Sequence, residues 1–228
     1  MIKYVLFDLD GTLVDTAPDL AAAANKLRTD RALAPLSFDE LRPLTGRGAT
    51  TLVKAALGKG PDDPEFAALR KEFLRNYEAR LALASKPFPG IVDLLETLDA
   101  DGIQAAVVTN KQSAYAEFIL NALGLRVFFA AVVGSDTSGS AMKPSPAGIR
   151  LAMAELGAAQ DETIYVGDTA TDITASLAAG IPCIFVRWND LTAPVPAIAD
   201  KALVMTQPEA VRTAIQGRKP LPLNAANR

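Results

Sequence analysis

The stretch DLDGTLVD, residues 8–15, closes the first apolar run of the chain, residues 2–9. That run is β-branched and aromatic, so it predicts a buried strand with functional groups at its C-terminal end. Asp8 and Asp10 are two residues apart on an extended segment, so their side chains point the same way. The alternative, an Asp-Gly turn after an edge strand, does not need Asp8 inside the apolar run. Because burying unpaired carboxylates is costly, a metal or another cationic partner is implied.

Similar apolar runs recur along the chain and alternate with helical patterns. This alternation predicts βαβ units and a parallel sheet with right-handed crossovers. The later strands are predicted at residues 104–109, 130–133, 163–166, 182–186 and 201–205, and the helices at 90–100, 113–123, 146–156, 170–179 and 208–215. The sequence therefore predicts an α/β fold with a Rossmann-like parallel sheet.

The region between the first and second strands breaks the alternation. Helical patterns cover residues 19–30, 38–44, 48–57 and 63–83, and none of this region reads convincingly as a strand. Apolar side chains such as Leu69, Phe73 and Tyr77 recur there at helical spacing, which indicates helix packing. We predict an all-helical domain at residues 16–85, inserted into an α/β core domain at residues 1–15 and 86–228.

Composition excludes several kinds of chemistry. The chain has 228 residues, no histidine, one cysteine and a formal net charge of −3. Without histidine there is no Ser-His-Asp triad, no Cys-His pair, and no His-ligated zinc or haem. Acid–base chemistry at neutral pH must fall to carboxylates, lysine, tyrosine or a metal-bound water. This slightly negative net charge does not indicate the positively charged surface that binds nucleic acid.

The single thiol and the N-terminus bear on the compartment. Cys183 lies in the apolar run 181–186, which predicts a buried, unreactive thiol in a reducing, cytoplasmic environment. Asp8 and Asp10 interrupt the N-terminal apolar run, unlike a signal peptide, and no segment approaches the length of a membrane span. We expect a small-molecule partner rather than nucleic acid or a membrane, and a monomer or homodimer.

Polar side chains also follow the later strands. Thr109 and Asn110 end one strand, Lys143 follows another, and Asp168 and Asp172 follow a third. Taken singly, Thr109 is also read as a helix N-cap, Lys143 as a solvated loop lysine, and the two acids as helix caps. Side chains at the ends of parallel strands converge on one crevice. The combination of these residues is therefore a far more specific sign of a functional site than any one of them alone.

DLDGTLVD, VVTN, KPSP and VGDTATD, in this order and spacing, resemble the four motifs of the haloacid dehalogenase superfamily. The resemblance covers nearly the whole chain and implies that the helical insertion is a C1-type cap domain. Dehalogenases of the superfamily lack the second acid of the first motif. Asp10 therefore favours the phosphatase branch, a phosphoric monoester hydrolase.

The resemblance implies a role for each matching residue. Asp8 is expected to attack phosphorus and form an aspartyl-phosphate, and a carboxylate needs no base for this. Asp10 is expected to protonate the leaving oxygen and then to activate water. Thr109 and Asn110, with neighbouring backbone N–H groups, are expected to hold the phosphoryl group, and Lys143 to neutralise Asp8 and the phosphate oxygens.

The resemblance also implies a metal. Mg²⁺, which prefers oxygen ligands, is expected to bind Asp8, the backbone carbonyl of Asp10, and Asp168. Asp172 is expected to orient metal-bound water or the lysine, and Thr12 to support Asp10.

Substrate choice is expected to lie in the inserted domain. Gly46 and Gly48 free backbone N–H groups at a helix start, and Arg47 between them is placed to pair with a second anionic group. This Gly-x-Gly pattern, and Lys111 after the second motif, resemble the phosphoglycolate phosphatases, which implies hydrolysis of 2-phosphoglycolate to glycolate and phosphate. Related pyrophosphatases share the pattern, and an ordinary turn with a surface arginine is the alternative.

Individual residues distinguish this function from other functions of the same fold. A phosphosugar mutase of the β-phosphoglucomutase kind uses a histidine after the first motif, where this chain reads TAPD at residues 16–19. A phosphonate-cleaving relative needs a cap lysine, and Lys26 and Lys54 are present, but Asp10 favours phosphate esters. The intact acids and Lys143 argue against a binding module without activity. The loop at residues 138–140 and the RWND stretch at residues 187–190 depart from the family pattern. Arg187 and Trp188 are most simply read there as surface or packing residues.

Overall fold

A computed structural model describes residues 1–137, 139–188 and 195–217. Ser138, Asn189 and Asp190, in the two departures from the family pattern, lie outside these ranges. Strands are observed at Tyr4–Phe7 (β1), Val14–Asp15 (β2), Lys86–Pro87 (β3), Gln104–Val108 (β4), Phe129–Val133 (β5), Thr163–Gly167 (β6), Cys183–Val186 (β7) and Leu203–Met205 (β8).

The main sheet has the predicted parallel form. Within the described ranges, six strands pair in the order β5-β4-β1-β6-β7-β8, and every pair in that order is parallel. In the register of the three central strands, Phe7 of β1 lies opposite Val107 of β4 and Val166 of β6. The residues that follow these positions therefore meet at one edge of the sheet. This architecture confirms the α/β fold predicted from the sequence.

The helices that follow the inserted segment match the predicted pattern closely. They span Ile91–Ala100 (α5), Ser113–Ala122 (α6), Ala147–Leu156 (α7), Ala170–Ala179 (α8) and Pro208–Gln216 (α9), after four helices in the inserted segment described below. Ile149 of α7 and Ile173 of α8 pack with Leu6 and Tyr165 in one buried apolar cluster. Helix α8 ends where Gly180 adopts a left-handed conformation, φ +82°, that favours glycine.

Contacts divide the chain into two compact units, Met1–Leu13 with Pro87–Arg228, and Val14–Lys86. The second unit contains helices Ala17–Thr29 (α1), Phe38–Thr45 (α2), Gly48–Leu57 (α3) and Phe66–Glu78 (α4). Ser37 and Glu40 form a reciprocal capping box at the start of α2, which satisfies backbone donors that the helix leaves unpaired. Phe73 and Tyr77 stack along α4 with their rings nearly parallel.

A buried carboxylate closes the second unit. Asp19, in the first turn of α1, is fully buried. It accepts hydrogen bonds from the backbone N–H groups of Ala84 (3.0 Å) and Ser85 (2.9 Å) and from the Ser85 hydroxyl (2.7 Å). The start of the unit is thus tied to its end by charge-assisted hydrogen bonds, the strong kind.

No helix among residues 1–137, 139–188 and 195–217 is both long and apolar enough to span a bilayer.

Candidate active site

Asp8 stands directly after β1, at the edge where the central strands end. Its side chain is buried, and Oδ1 accepts hydrogen bonds from the Leu9 backbone N–H (2.8 Å) and from Lys143 Nζ (2.9 Å). Both of these contacts involve Oδ1, and neither involves Oδ2.

The turn after β1 needs glycine at position 11. Gly11 has φ +82°, and a Cβ there would lie 2.1 Å from Oδ2 of Asp168. The backbone of the turn therefore approaches the Asp168 carboxylate more closely than any side chain would permit. Thr12, the next residue, donates its hydroxyl to Oδ1 of Asp168 at 3.2 Å. Thr12 was expected to support Asp10; the hydrogen bond observed from its hydroxyl supports Asp168.

Lys143 is the buried centre of the site rather than a solvated loop lysine. Its Nζ contacts Oδ1 of Asp172 at 2.7 Å and Oδ1 of Asp8 at 2.9 Å. It also donates to the Tyr165 hydroxyl at 2.8 Å and lies 3.1 Å from the Val108 carbonyl. The ammonium group thus meets acceptors from three neighbouring strands and from α8.

Burial and like charge shift the pKa values of these groups. Burial raises the pKa of Asp8 to about 6, although the charge of Lys143 opposes the shift. Burial, and then the charges of Asp172 and Asp8, raise the pKa of Asp168 well above its ordinary value. Burial alone would lower the pKa of Lys143, but the charges of Asp172 and Asp8 raise it above its ordinary value. The positive charge of Lys143 therefore does not offset the effect of burial on the carboxyl groups of Asp8 and Asp168.

Asp172 serves the site and the helix together. One oxygen accepts from the Thr169 backbone N–H (2.9 Å) and hydroxyl, and closes a capping box at the start of α8. The other oxygen accepts from Lys143 and lies 3.2 Å from the Tyr165 hydroxyl oxygen. The interpretation of Asp172 as a helix cap and its expected role beside Lys143 are both consistent with this geometry.

Thr109 and Asn110 bring the end of β4 to the same place. Thr109 is buried, and its hydroxyl accepts from the Lys111 backbone N–H at 3.2 Å; the N-cap of α6 is Gln112, not Thr109. The amide of Asn110 accepts from the Lys143 backbone N–H (2.7 Å) and donates to its carbonyl (3.1 Å). Both ends of the Asn110 side chain therefore hold the Lys143 loop in place.

Lys111 and Trp188 join the site, although the sequence assigned no role there to either side chain. Lys111 Nζ lies 3.1 Å from Oδ1 of Asp10, the second acid of the first motif. Trp188, two residues after β7, donates its indole N–H to the Thr12 carbonyl at 2.7 Å. The only signal for Trp188 in the sequence was the position of an aromatic residue two residues after the strand predicted at residues 182–186.

The acids fit a divalent cation. Among the described residues, one carboxylate oxygen each of Asp8, Asp168 and Asp172 lie within 4.8 Å of one another. Hard oxygen donors of this kind suit Mg²⁺ or a similar cation. Because Asp172 already accepts from Lys143 and Thr169, Asp8 and Asp168 are the better ligands.

Gly46 and Arg47 lie between α2 and α3 of the second unit, and Gly48 is the first residue of α3. Gly48 has φ +81°, a left-handed conformation, and no atom lies within 4 Å of a Cβ built at Gly46 or Gly48. Arg47 occupies the N-cap position of α3 without a side-chain cap hydrogen bond. Nearby, Arg42 pairs with Asp15 at 3.0 Å and covers the ring of Phe38.

The family model described as haloacid dehalogenase-like hydrolase matches residues 5–186, which include all four motifs. The chain belongs to this family. The match confirms the family indicated by the motifs. Residues 5–186 also contain every side chain of the haloacid dehalogenase-like site except Trp188.

Curated relatives of this haloacid dehalogenase-like hydrolase are named as phosphatases, which confirms the prediction of a phosphoric monoester hydrolase. The phosphoglycolate phosphatase of Caulobacter vibrioides is 38% identical over 197 residues, which cover 85% of this chain and 83% of that protein. The N-acetylmuramic acid 6-phosphate phosphatase of Pseudomonas aeruginosa is 37% identical over 188 residues, 82% of this chain and 83% of that protein. The crystal structure of a predicted phosphoglycolate phosphatase from Haemophilus somnus superposes with a TM-score of 0.78 at 28% identity, covering 93% of this chain and 98% of that chain.

Proposed function

We propose that this protein is a Mg²⁺-dependent phosphatase that hydrolyses a small phosphomonoester through an aspartyl-phosphate on Asp8. One observation carries the proposal: a buried ammonium group, Lys143 Nζ, lies 2.9 Å from a carboxylate that stands at the end of the central strand. A carboxylate held in this way is oriented as a nucleophile, and the cation neutralises charge that a phosphate dianion brings.

In the first half of the reaction, Oδ2 of Asp8 attacks phosphorus. The bond between phosphorus and the ester oxygen breaks, and the carboxyl of Asp10 gives its proton to that oxygen, so that the alcohol leaves. Thr109 and the backbone N–H groups beside it hold the phosphoryl oxygens. Positioning and charge stabilisation of this kind supply most of the rate in phosphoryl transfer.

In the second half, a water molecule attacks the phosphorus of the aspartyl-phosphate. Asp10, now a carboxylate, takes a proton from the water, and the bond between phosphorus and the Asp8 oxygen breaks. Inorganic phosphate leaves, and Asp8 and Asp10 return to their starting states. The protons balance without any histidine, since Asp10 acts as acid and then as base.

The proposed ligands of Mg²⁺ are Asp8, the Asp10 backbone carbonyl and Asp168. When bound, the ion supplies positive charge beside the transferring phosphoryl group. Mg²⁺ titration by calorimetry tests the assignment without relying on activity. We expect Asp168→Asn to lose binding, and Asp161→Asn, in a 3₁₀ turn of the same unit, to bind as the wild type does. Equal binding by both variants would remove Asp168 from the metal site.

For the substrate we propose 2-phosphoglycolate. The support is the relative from Caulobacter vibrioides and the Gly46-Arg47-Gly48 sequence, whose arginine side chain can pair with a carboxylate. A panel of phosphorylated metabolites ranked by kcat/KM, with N-acetylmuramic acid 6-phosphate and inorganic pyrophosphate included, decides the choice. A higher kcat/KM for either of those two would overturn it.

Arg47 has a separate test. We expect Arg47→Ala to raise the KM for 2-phosphoglycolate more than the KM for an aryl phosphate, because only the former carries a carboxylate. Arg70→Ala, at an exposed position of α4, is the matched control. An equal effect of Arg47→Ala on both substrates would exclude Arg47 from substrate recognition.

We also propose a reducing, cytoplasmic location, supported by the buried free thiol of Cys183.

A further inference from the structure

Lys111 holds a nearly buried charge next to Asp10. Its side chain is 7% exposed, that of Asp10 is 22% exposed, and the two groups are 3.1 Å apart. An ammonium group in such a place is costly unless it is paired, so the pair restrains both side chains. Nothing in the mechanism above uses this lysine.

The backbone of Lys111 is fixed from two sides. Its N–H donates to the Thr109 hydroxyl at 3.2 Å, and its carbonyl accepts from the Ser135 N–H at 2.9 Å. The first contact ties Lys111 to the end of β4, and the second ties it to the loop after β5. Lys111 therefore occupies a defined position between two strand ends.

The loop after β5 is itself built for close approach. A Cβ at Gly134 would lie 2.4 Å from the Ser113 nitrogen and 2.8 Å from the Lys111 carbonyl oxygen, so no other residue fits without a shift. Asp136 accepts from the Ser113 backbone N–H at 2.7 Å and from its hydroxyl, and so caps α6 from outside the helix. The Gly134–Asp136 loop thus braces the segment that presents Lys111.

We propose that Lys111 is a positioning residue that holds the carboxyl of Asp10 in the orientation for proton transfer. The contact of Lys111 Nζ with Oδ1 of Asp10 restricts rotation of the carboxyl group, and with it the direction in which that group presents its proton. This rests on the proposed role of Asp10 as the general acid. Lys111 itself takes no part in bond making or breaking.

Leaving groups of different basicity distinguish this role from a structural one. An alkyl alcohol needs the proton from Asp10 to depart, whereas dinitrophenolate departs without one. The ratio kcat/KM includes only steps up to the departure of the alcohol. For Lys111→Met we expect kcat/KM to fall about 10- to 100-fold on ethyl phosphate and on 2-phosphoglycolate, and less than about threefold on dinitrophenyl phosphate.

Three further variants complete the experiment. Lys111→Arg, which keeps the charge, should recover part of the loss on ethyl phosphate. Lys3→Met, which removes an exposed lysine paired with Glu162 in the same unit, should match the wild type on all three substrates. In an Asp10→Asn background, Lys111→Met should cause no further loss on ethyl phosphate, because its effect acts through Asp10.

Two results would overturn the inference. An equal loss on all three substrates would show that Lys111 only supports the fold, and a loss confined to 2-phosphoglycolate would show that it binds the substrate carboxylate. Neither result touches the aspartyl-phosphate mechanism, which fails only if the nucleophile Asp8 proves dispensable.

Discussion

The indole N–H of Trp188 donates to the backbone carbonyl of Thr12 at 2.7 Å, across 176 positions of sequence. Thr12 in turn donates its hydroxyl to Asp168. The segment after β7, the turn after β1 and the carboxylate after β6 are therefore joined by two hydrogen bonds. Trp188 thus restrains the turn that carries Asp10.

Replacing Trp188 by Phe should loosen this turn. One neutral hydrogen bond contributes about 0.5–1.5 kcal/mol, so we expect kcat to fall about two- to tenfold while the fold is kept. Steady-state kinetics with an aryl phosphate measures the effect. Phe118→Ala, which removes an exposed aromatic ring from α6, is the control. A kcat equal to that of the control would show that the indole contact has no role in turnover.

Tyr165 should matter through Lys143. Its buried hydroxyl accepts from Lys143 Nζ and donates to the Val108 carbonyl at 2.8 Å. In Tyr165→Phe the ammonium group loses one acceptor and is free to shift toward Val108, away from Asp8. We expect kcat to fall about three- to tenfold with KM changed less than twofold.

The control for this variant is Tyr77→Phe, which removes the hydroxyl of a buried tyrosine in α4. Thermal unfolding of both variants separates lost stability from lost orientation. A rise in KM with unchanged kcat in Tyr165→Phe would contradict a role in placing Lys143.

Asp19→Asn should destabilise the second unit. The fully buried carboxylate accepts three converging donors from Ala84 and Ser85, and an amide brings its own N–H donors against them. We expect a loss of about 2–4 kcal/mol in the free energy of unfolding, measured in urea. Asp39→Asn, exposed in the first turn of α2, should change it by less than about 0.5 kcal/mol. Similar losses in both variants would argue against the Asp19 network.

Cys183 should resist modification in the folded protein. Burial raises the pKa of its thiol to about 12, and the side chain is 2% exposed. The thiolate is the reactive form, and burial keeps the thiol protonated at neutral pH. A thiol reagent such as an aromatic disulfide should therefore label the native protein far more slowly than the protein in guanidinium. Rapid labelling of the native state would show that β7 opens.

The fold was predictable because its signals are local. The strands β1 and β6 are short apolar runs that end in acids, and helix α8 lies between a Thr-Asp capping pair and a glycine. The two-residue strands β2 and β3 were not predicted, since two residues carry no periodicity. The order of the strands in the sheet is likewise absent from any local pattern.

The site was predictable only in part. Asp8 and Asp168 come directly after β1 and β6, Lys143 lies in the loop after β5, and Asp172 lies in the first turn of α8. All four follow parallel strands, so the sequence alone predicts that they meet. The contacts of Lys111 with Asp10 and of Trp188 with Thr12 join residues far apart in sequence, and a lone lysine or tryptophan gives no sign of its partner. Tyr165 was read only as part of a strand, because a tyrosine in an apolar run usually serves packing.

Asp8→Asn is the most direct test of the central claim, that this carboxylate attacks phosphorus. The substitution keeps the size of the side chain but removes the nucleophilic oxygen. We predict that Mg²⁺-dependent hydrolysis of an aryl phosphate falls by more than about a thousandfold, while circular dichroism and thermal unfolding show a folded protein. Turnover by folded Asp8→Asn at the wild-type rate would contradict the account.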